Sequence, residues 1–308
     1  MKHSQGIHHI TALAGNAQTN VDFYVHKLGM RLVKKSVNQD DPGTYHLFYG
    51  NGEGSPGSGL TFFPWPMAKL GRPGTGEAVE VGLTIPEDSL DFWKTRLGNS
   101  SIEYKEDERF GKKRLHFRDP DVIELELVAD PDAGTLAGWD GGDLPAEHTI
   151  RGFHHTRLNL SDAEPTADIL TDVFGFKKAD SDGRVQLYRT DAPIGSEVEI
   201  DTGSPANAIP GRGTIHHVAF RAKDDEELME LREKVVGYGL SPTMQIDRHW
   251  FHSVYFRSPG GVLFEIATDG PGYTVDEEAD ALGEKLILPP WLESKREIIE
   301  KQLPDIHV

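Results

Sequence analysis

Apolar and polar positions along this 308-residue chain repeat one plan four times. The first unit, residues 6–63, opens with the strand pattern GIHHITAL. It continues into a helix expected over 17–28, where Val21, Tyr24, Val25 and Leu28 form a buried stripe, and Gly29 supplies the usual left-handed stop. Strands around MRLVKKSV, TYHLFYG and GLTFFPW follow, and the glycine-rich GNGEGSPGSG between the last two lacks the lysine and helix of a phosphate loop, so it reads as a hairpin loop. The second unit, 77–128, opens with VEVGLTIP and enters a helix at Pro86 with Leu90, Trp93 and Leu97 on one face. Gly98 is its expected end, and strands RLHFRD and VIELELV complete it. In the third unit, 151–201, GFHHTRLNL leads to a helix with a capping box from Ser161 to Glu164, then to RVQLYRT and SEVEID. The fourth, 213–268, runs from GTIHHVAF through a helix carrying Leu228, Leu231 and Val235 to SVYFRS and GVLFEIA.

Strand, helix, strands, four times over, predicts an α+β fold of two tandem domains, each made of two units. The domains are expected at 1–140 and 150–270, joined by the Gly, Asp and Pro-rich loop of 129–148. Residues 271–308 read as a partly helical tail whose Leu286, Ile287, Leu288, Trp291, Leu292, Ile298 and Ile299 pack on the body or on a second subunit of a homo-oligomer.

The repeated histidine pair changes this picture from architecture to chemistry. Neighbouring side chains on a strand face opposite ways, so each pair sends one imidazole inward. If the second faces in, the candidates are His9, His155 and His217, while the second unit's strand has no histidine. Glu265 sits in a strand apolar on both sides, where a carboxylate is costly unless paired or metal-bound. His217 and Glu265 belong to one unit; His9 and His155 compete for a third position. Two imidazoles and a carboxylate on one face of an ion describe a non-haem Fe(II) site, with Mn(II) the nearest substitute. The chain has no cysteine, so thiolate sites, iron–sulfur clusters and disulfides are excluded. A charge of −18, from 32 basic against 50 acidic residues, makes nucleic acid and anionic lipid poor partners. The opening MKHSQGIHHI lacks a leader pattern and no apolar run reaches membrane-span length, so the expected location is cytoplasmic.

HHIT, IHHVAF, DRHWFHSVYFRSPGGVLFEI and the four-unit layout together resemble the vicinal oxygen chelate superfamily of glyoxalases, bleomycin-resistance proteins and extradiol dioxygenases. Within it the chain is similar to the hydroquinone-type ring-cleaving dioxygenases over nearly its whole length. The resemblance implies four βαβββ modules and a metal held by His9, His217 and Glu265. The catechol-cleaving relatives would use His155 instead of His9. It further implies Arg248 and Tyr255 as groups contacting substrate oxygens, Thr11 on the strand face of His9, and His8 and His216 orienting the ligands behind them. His155 and Glu126 would be the remnant of a second, pseudo-symmetric site. The implied activity is Fe(II)-dependent opening of a hydroquinone-type or catechol-type ring, with a small aromatic substrate and O2. The rivals are a glyoxalase-like metal-dependent lyase or isomerase and a metal-free aromatic-binding resistance protein.

Overall fold

A computed structural model describes residues 6–204 and 206–308; residues 1–5, on which the reading of the leader falls, and Pro205 lie outside the described residues. Module 1 comprises β1 (Ile7–Ala14), α1 (Ala17–Val21), β2 (Arg31–Val37), β3 (Tyr45–Gly50) and β4 (Gly59–Pro64). Module 2 comprises β5 (Glu77–Pro86), α2 (Leu90–Asn99), β6 (Tyr104–Arg109), β7 (Lys112–Arg118) and β8 (Glu124–Asp130). Module 3 has β9 (Gly152–Asn159), α3 (Glu164–Asp168), β10 (Lys177–Asp182), β11 (Val185–Arg189) and β12 (Glu197–Asp201). Module 4 has β13 (Ile215–Ala222), α4 (Asp225–Gly237), β14 (Ile246–Asp247), β15 (Phe251–Arg257) and β16 (Leu263–Pro271), and the tail carries α5 (Arg296–Gln302).

The strands form two curled eight-stranded sheets, ordered β14-β15-β16-β13-β1-β4-β3-β2 and β10-β11-β12-β9-β5-β8-β7-β6. Module 4 therefore pairs with module 1, through antiparallel β1 and β13, and module 3 pairs with module 2, through antiparallel β5 and β9. Each sheet takes one module from each half of the sequence, so the units at 1–140 and 150–270 are joined by hydrogen bonds across the chain and not closed within themselves.

The halves are cemented by their helices. Tyr24, just beyond α1, packs on Phe62 and Tyr49 of the first sheet, and its hydroxyl donates to Asp119 of module 2. Phe174, beyond α3, stacks on Phe220 of β13 with ring centroids 4.2 Å apart. One apolar cluster runs through all four modules, and a smaller one on the inner side of the first sheet gathers Val33, Phe48, Ala219, Trp250, Phe251, Ala267, Tyr273 and Leu282.

Local signals were kept where they served this packing. Gly29 and Gly175 stop their helices at φ +66° and +74°. α1 and α3 are short, and each continues as a wider π-type turn, Asp22–Lys27 and Ile169–Val173. Gly98 lies inside α2, and Ser101, at φ 56°, makes the left-handed exit. Ser161 forms no capping box; α3 begins only at Glu164, whose N–H is accepted by Asp162. β15 begins at Phe251, two residues ahead of the expected SVYFRS, and so takes in His252. The edge strands β6, β10 and β14 escaped the sequence pattern because their residues are largely polar and exposed, the charge that blunts a free edge.

The tail lies on the body: Leu288, Leu292, Ile299 and Leu303 join the main cluster, and Ile287 N–H donates to Lys35 O. Buried Lys34 binds Asp276 and Glu277, and Asp276 accepts from the Trp250 indole and also contacts His249. The tail thereby pins the turn that carries Arg248. No described helix is long and apolar enough to cross a membrane.

Candidate metal centre

Strand register brings the site together at the seam of modules 1 and 4. Ala219 of β13 lies opposite His9 on one side and Glu265 on the other, and His217 is two residues from Ala219 on the same face. His9, His217 and Glu265 are buried, with exposures of 2%, 5% and 0%. Their facing atoms form a tight triangle: His9 Nε2 to His217 Nε2 is 3.1 Å, His9 Nε2 to Glu265 Oε2 is 3.2 Å, and His217 Nε2 to Glu265 Oε2 is 3.0 Å. His155 does not compete for this place, because β9 carries it in the other sheet.

These residues fit a metal ion. Ligands about 2.1 Å from an ion and at right angles sit about 3.0 Å apart, whereas tetrahedral ligands would sit about 3.4 Å apart. The three facing atoms are close enough to share one ion, which would be held by two imidazole nitrogens and one carboxylate oxygen. Glu265 Oε2, fully buried, has no hydrogen-bond donor among the described residues and faces only the two histidine Nε2 atoms, while Oε1 accepts from the Ser253 hydroxyl. Burial pushes this carboxyl up, and the facing His9 and His217 draw it well below the usual carboxylate range when they carry a proton, the place a cation would take. Burial keeps His217 low, in the neutral form that offers a lone pair.

A hydrogen-bond chain fixes the ring nitrogens. The Thr268 carbonyl can only accept, so His8 Nε2, 3.1 Å away, carries the proton. Burial, with His9 next, keeps His8 neutral, so its Nδ1 accepts from His9 Nδ1 at 2.9 Å. His9 Nε2 is then the atom aimed at Glu265 and His217. His216 Nδ1 meets His217 Nδ1 at 2.8 Å in the same arrangement.

The other predicted residues border this triangle. The Tyr255 ring is 5.8 Å from that of His217, and burial first, then Glu265, raise its hydroxyl well above the usual range, so it keeps its proton. Arg248 lies over the Tyr255 ring at 5.4 Å and pairs with Asp40 at 3.2 Å. The Thr11 hydroxyl hydrogen-bonds Thr61 at 2.7 Å, and His46 Nε2 reaches the same Thr61 oxygen at 2.9 Å. Sequence reading missed Ser253, Thr61 and His46. His46 was within reach, since alternation in TYHLFYG puts it on the face of Phe48, against which its ring packs at 3.8 Å.

The second sheet holds a counterpart cluster of Glu80, Glu126 and His155, all buried. Gly82 lies opposite His155 as Ala219 lies opposite His9, so Glu80 stands where His217 stands. The second unit therefore does offer a ligand-type residue, though not a histidine. His155 Nε2 is 3.3 Å from Glu80 and 3.5 Å from Glu126, and three arginines, Arg109, Arg114 and Arg157, enter the cluster together with Glu199.

Paired βαβββ modules with a histidine, histidine, glutamate set on their shared sheet define a class of its own, and comparison places the chain within it. It belongs to the Glyoxalase/Bleomycin resistance protein/Dioxygenase superfamily, whose family model matches residues 6–63 and 152–266. It is 39% identical to MhqO of Bacillus subtilis, provisionally named a ring-cleaving dioxygenase, over 98% of this chain and 96% of that one. It is 34% identical to the chlorohydroquinone/hydroquinone 1,2-dioxygenase of Sphingobium indicum, over 98% and 96%. The crystal structure of a Bacillus subtilis protein provisionally named a dioxygenase superposes with a TM-score of 0.96 at 39% identity, covering 100% of this chain and 99% of that one.

Proposed function

We propose that the chain is a ring-cleaving dioxygenase that opens a hydroquinone-type aromatic ring, with Fe(II) held by His9, His217 and Glu265. The observation that carries the reading is the ligand triangle with its buried, donor-free Glu265 Oε2. The relative named for chlorohydroquinone and hydroquinone supports the substrate class. Fe(II), when bound, supplies the one-electron reactivity toward O2 that protein side chains lack.

The chain's own groups account for the rest. Ser253 holds Glu265 Oε1, leaving Oε2 to face the histidines. His8 and His216 fix which nitrogen each ligand histidine presents. Arg248, always charged, stabilises an ionised ring hydroxyl or a developing oxyanion, and Tyr255, which keeps its proton, donates to the same region. His46, kept neutral by burial and by His9 and His217, offers a second polar contact through Thr61. Phe251, tilted against the His9 ring with centroids 5.1 Å apart, and Phe63, beside His46 and His216, supply apolar walls that limit water.

The test is oxygen uptake by the Fe(II)-loaded protein with methyl- or chlorohydroquinone. Uptake is expected in the wild type and lost in His217→Ala and Glu265→Gln. Absence of uptake with every dihydroxybenzene tried would overturn the assignment.

A further inference from the structure

The two sheets can be compared residue by residue from register alone. His155 corresponds to His9, Glu80 to His217, and Glu126 to Glu265. On β15, Ser253 lies opposite Ala267, two residues beyond Glu265; on β7, Arg114 lies opposite Val128, two residues beyond Glu126. Arg114 is therefore the counterpart of Ser253. By the same count along β9 and β12, Arg157 replaces Thr11 and Glu199 replaces Thr61. The Thr11–Thr61 hydrogen bond of 2.7 Å becomes an Arg157–Glu199 ion pair of 2.8 Å.

Arg114 alters the cluster most. Its Nη1 is 2.8 Å from Glu126 Oε2, 2.8 Å from Glu199 Oε1 and 3.5 Å from His155 Nε2. In the first sheet the corresponding carboxylate and imidazole atoms face each other at 3.2 Å, and among the described residues no arginine or lysine pairs with that carboxylate. In the second a guanidinium nitrogen lies against both. Arg114 is fully buried, and Glu126 Oε1, also fully buried, has no hydrogen-bond partner among the described residues. Three carboxyl groups, those of Glu80, Glu126 and Glu199, meet three guanidinium groups, those of Arg109, Arg114 and Arg157. A divalent cation added to this set would find its charge already matched and a guanidinium in its way.

We infer that the Glu80–Glu126–His155 cluster is a second divalent-metal site whose ion is replaced by the guanidinium of Arg114, so that the wild-type chain takes no metal there. Removing that guanidinium opens the site. Arg114→Ser installs the residue that the first sheet uses and frees His155 and Glu126, while Glu80, whose oxygens lie 2.7 and 2.9 Å from Arg157, exchanges part of that pairing for an ion that prefers nitrogen and oxygen ligands, such as Mn(II).

The experiment counts Mn(II) bound per full-length chain by electron paramagnetic resonance titration. Arg114→Ser is expected to bind one more Mn(II) than the wild type, and the double variant Arg114→Ser/Glu126→Gln is expected to lose it. Equal counts for the wild type and Arg114→Ser overturn the proposal. The variant Glu265→Gln, which keeps Arg114, tests the same claim without disturbing the second sheet. No tightly bound Mn(II) supports the proposal, and one Mn(II) that disappears on adding Glu126→Gln overturns it. Since the proposal is read as a difference between variants, it stands apart from the first site, whose failure would show as a lower count in the wild type itself.

Discussion

His8 shows how much one side chain behind a ligand can decide. It touches no reacting group, yet it alone passes the constraint of the Thr268 carbonyl to His9. His8→Ala removes the acceptor for His9 Nδ1–H and lets the ring turn or change tautomer. Metal affinity is expected to fall about 10- to 100-fold, the usual loss for such partners, while the fold is retained; Mn(II) titration with circular dichroism checks both. The alternation of strand faces made the second histidine of each pair the inward one; His9 and His217 meet Glu265 and His155 meets Glu126, whereas burial separates only the third pair, since His8 and His154 are buried too. The Arg114 cluster was not legible in the same way. RLHFRD and VEVGLTIP read as half-polar strands, and nothing local says that their charges turn inward to meet one another.

At the scale of single elements, β5 carries two testable strains. Glu77, at its start, is 8% exposed, and its Oε2 has no partner among the described residues. Burial, opposed only by a hydrogen bond with Thr214, carries its carboxyl from 4.5 up to about 7. A raised carboxyl contributes stability that is present below its unfolded value and is lost as pH rises through about 7. Glu77→Gln is therefore expected to leave melting unchanged near about pH 5 and to raise the Tm above that of the wild type near about pH 8, measured by thermal denaturation. Further along, a Cβ on Gly82 would lie 2.1 Å from His155 Nδ1, inside a buried ring that has no room to retreat. Gly82→Ala is expected to destabilise by about 1–3 kcal/mol, seen as a lower urea midpoint. The same scale shows why some elements were legible and others not. Apolar stripes reveal helices and central strands, whereas β6 and β10 bury almost nothing and leave no period to read.

In the whole molecule the order of pairing is what builds the site. His9 comes from the first module and His217 and Glu265 from the fourth, and the antiparallel β1–β13 seam is the only described strand pairing that brings them together. Fragments 1–148 and 149–308 each contain one half of both sheets. Each alone is expected to bind no Mn(II) tightly, and mixing them is expected to restore binding. A fragment that binds as tightly as the intact chain would contradict this account of the site. The tail belongs to the same scale: Lys34 is fully buried between Asp276 and Glu277, so Lys34→Ala strands the buried Glu277 and leaves Asp276 only its Trp250 and His249 contacts. A loss of about 3–5 kcal/mol in denaturant unfolding is expected, because an uncompensated buried charge costs more than a missing contact.

Four modules, the inward histidines and the misplaced Glu265 were properties of the sequence by itself, because each is written in a local period of two or in a stop a few residues long. Which module joins which was decided only in three dimensions. Four similar strand patterns can pair in several ways, and burial of the helix faces between the two sheets selects the pairing of first with fourth and second with third. The same tertiary choice separated two look-alike clusters. Ser253 and Arg114 occupy equivalent strand positions, and only their neighbours across the sheet reveal that one holds Glu265 Oε1 while the other lays a guanidinium against Glu126 and His155.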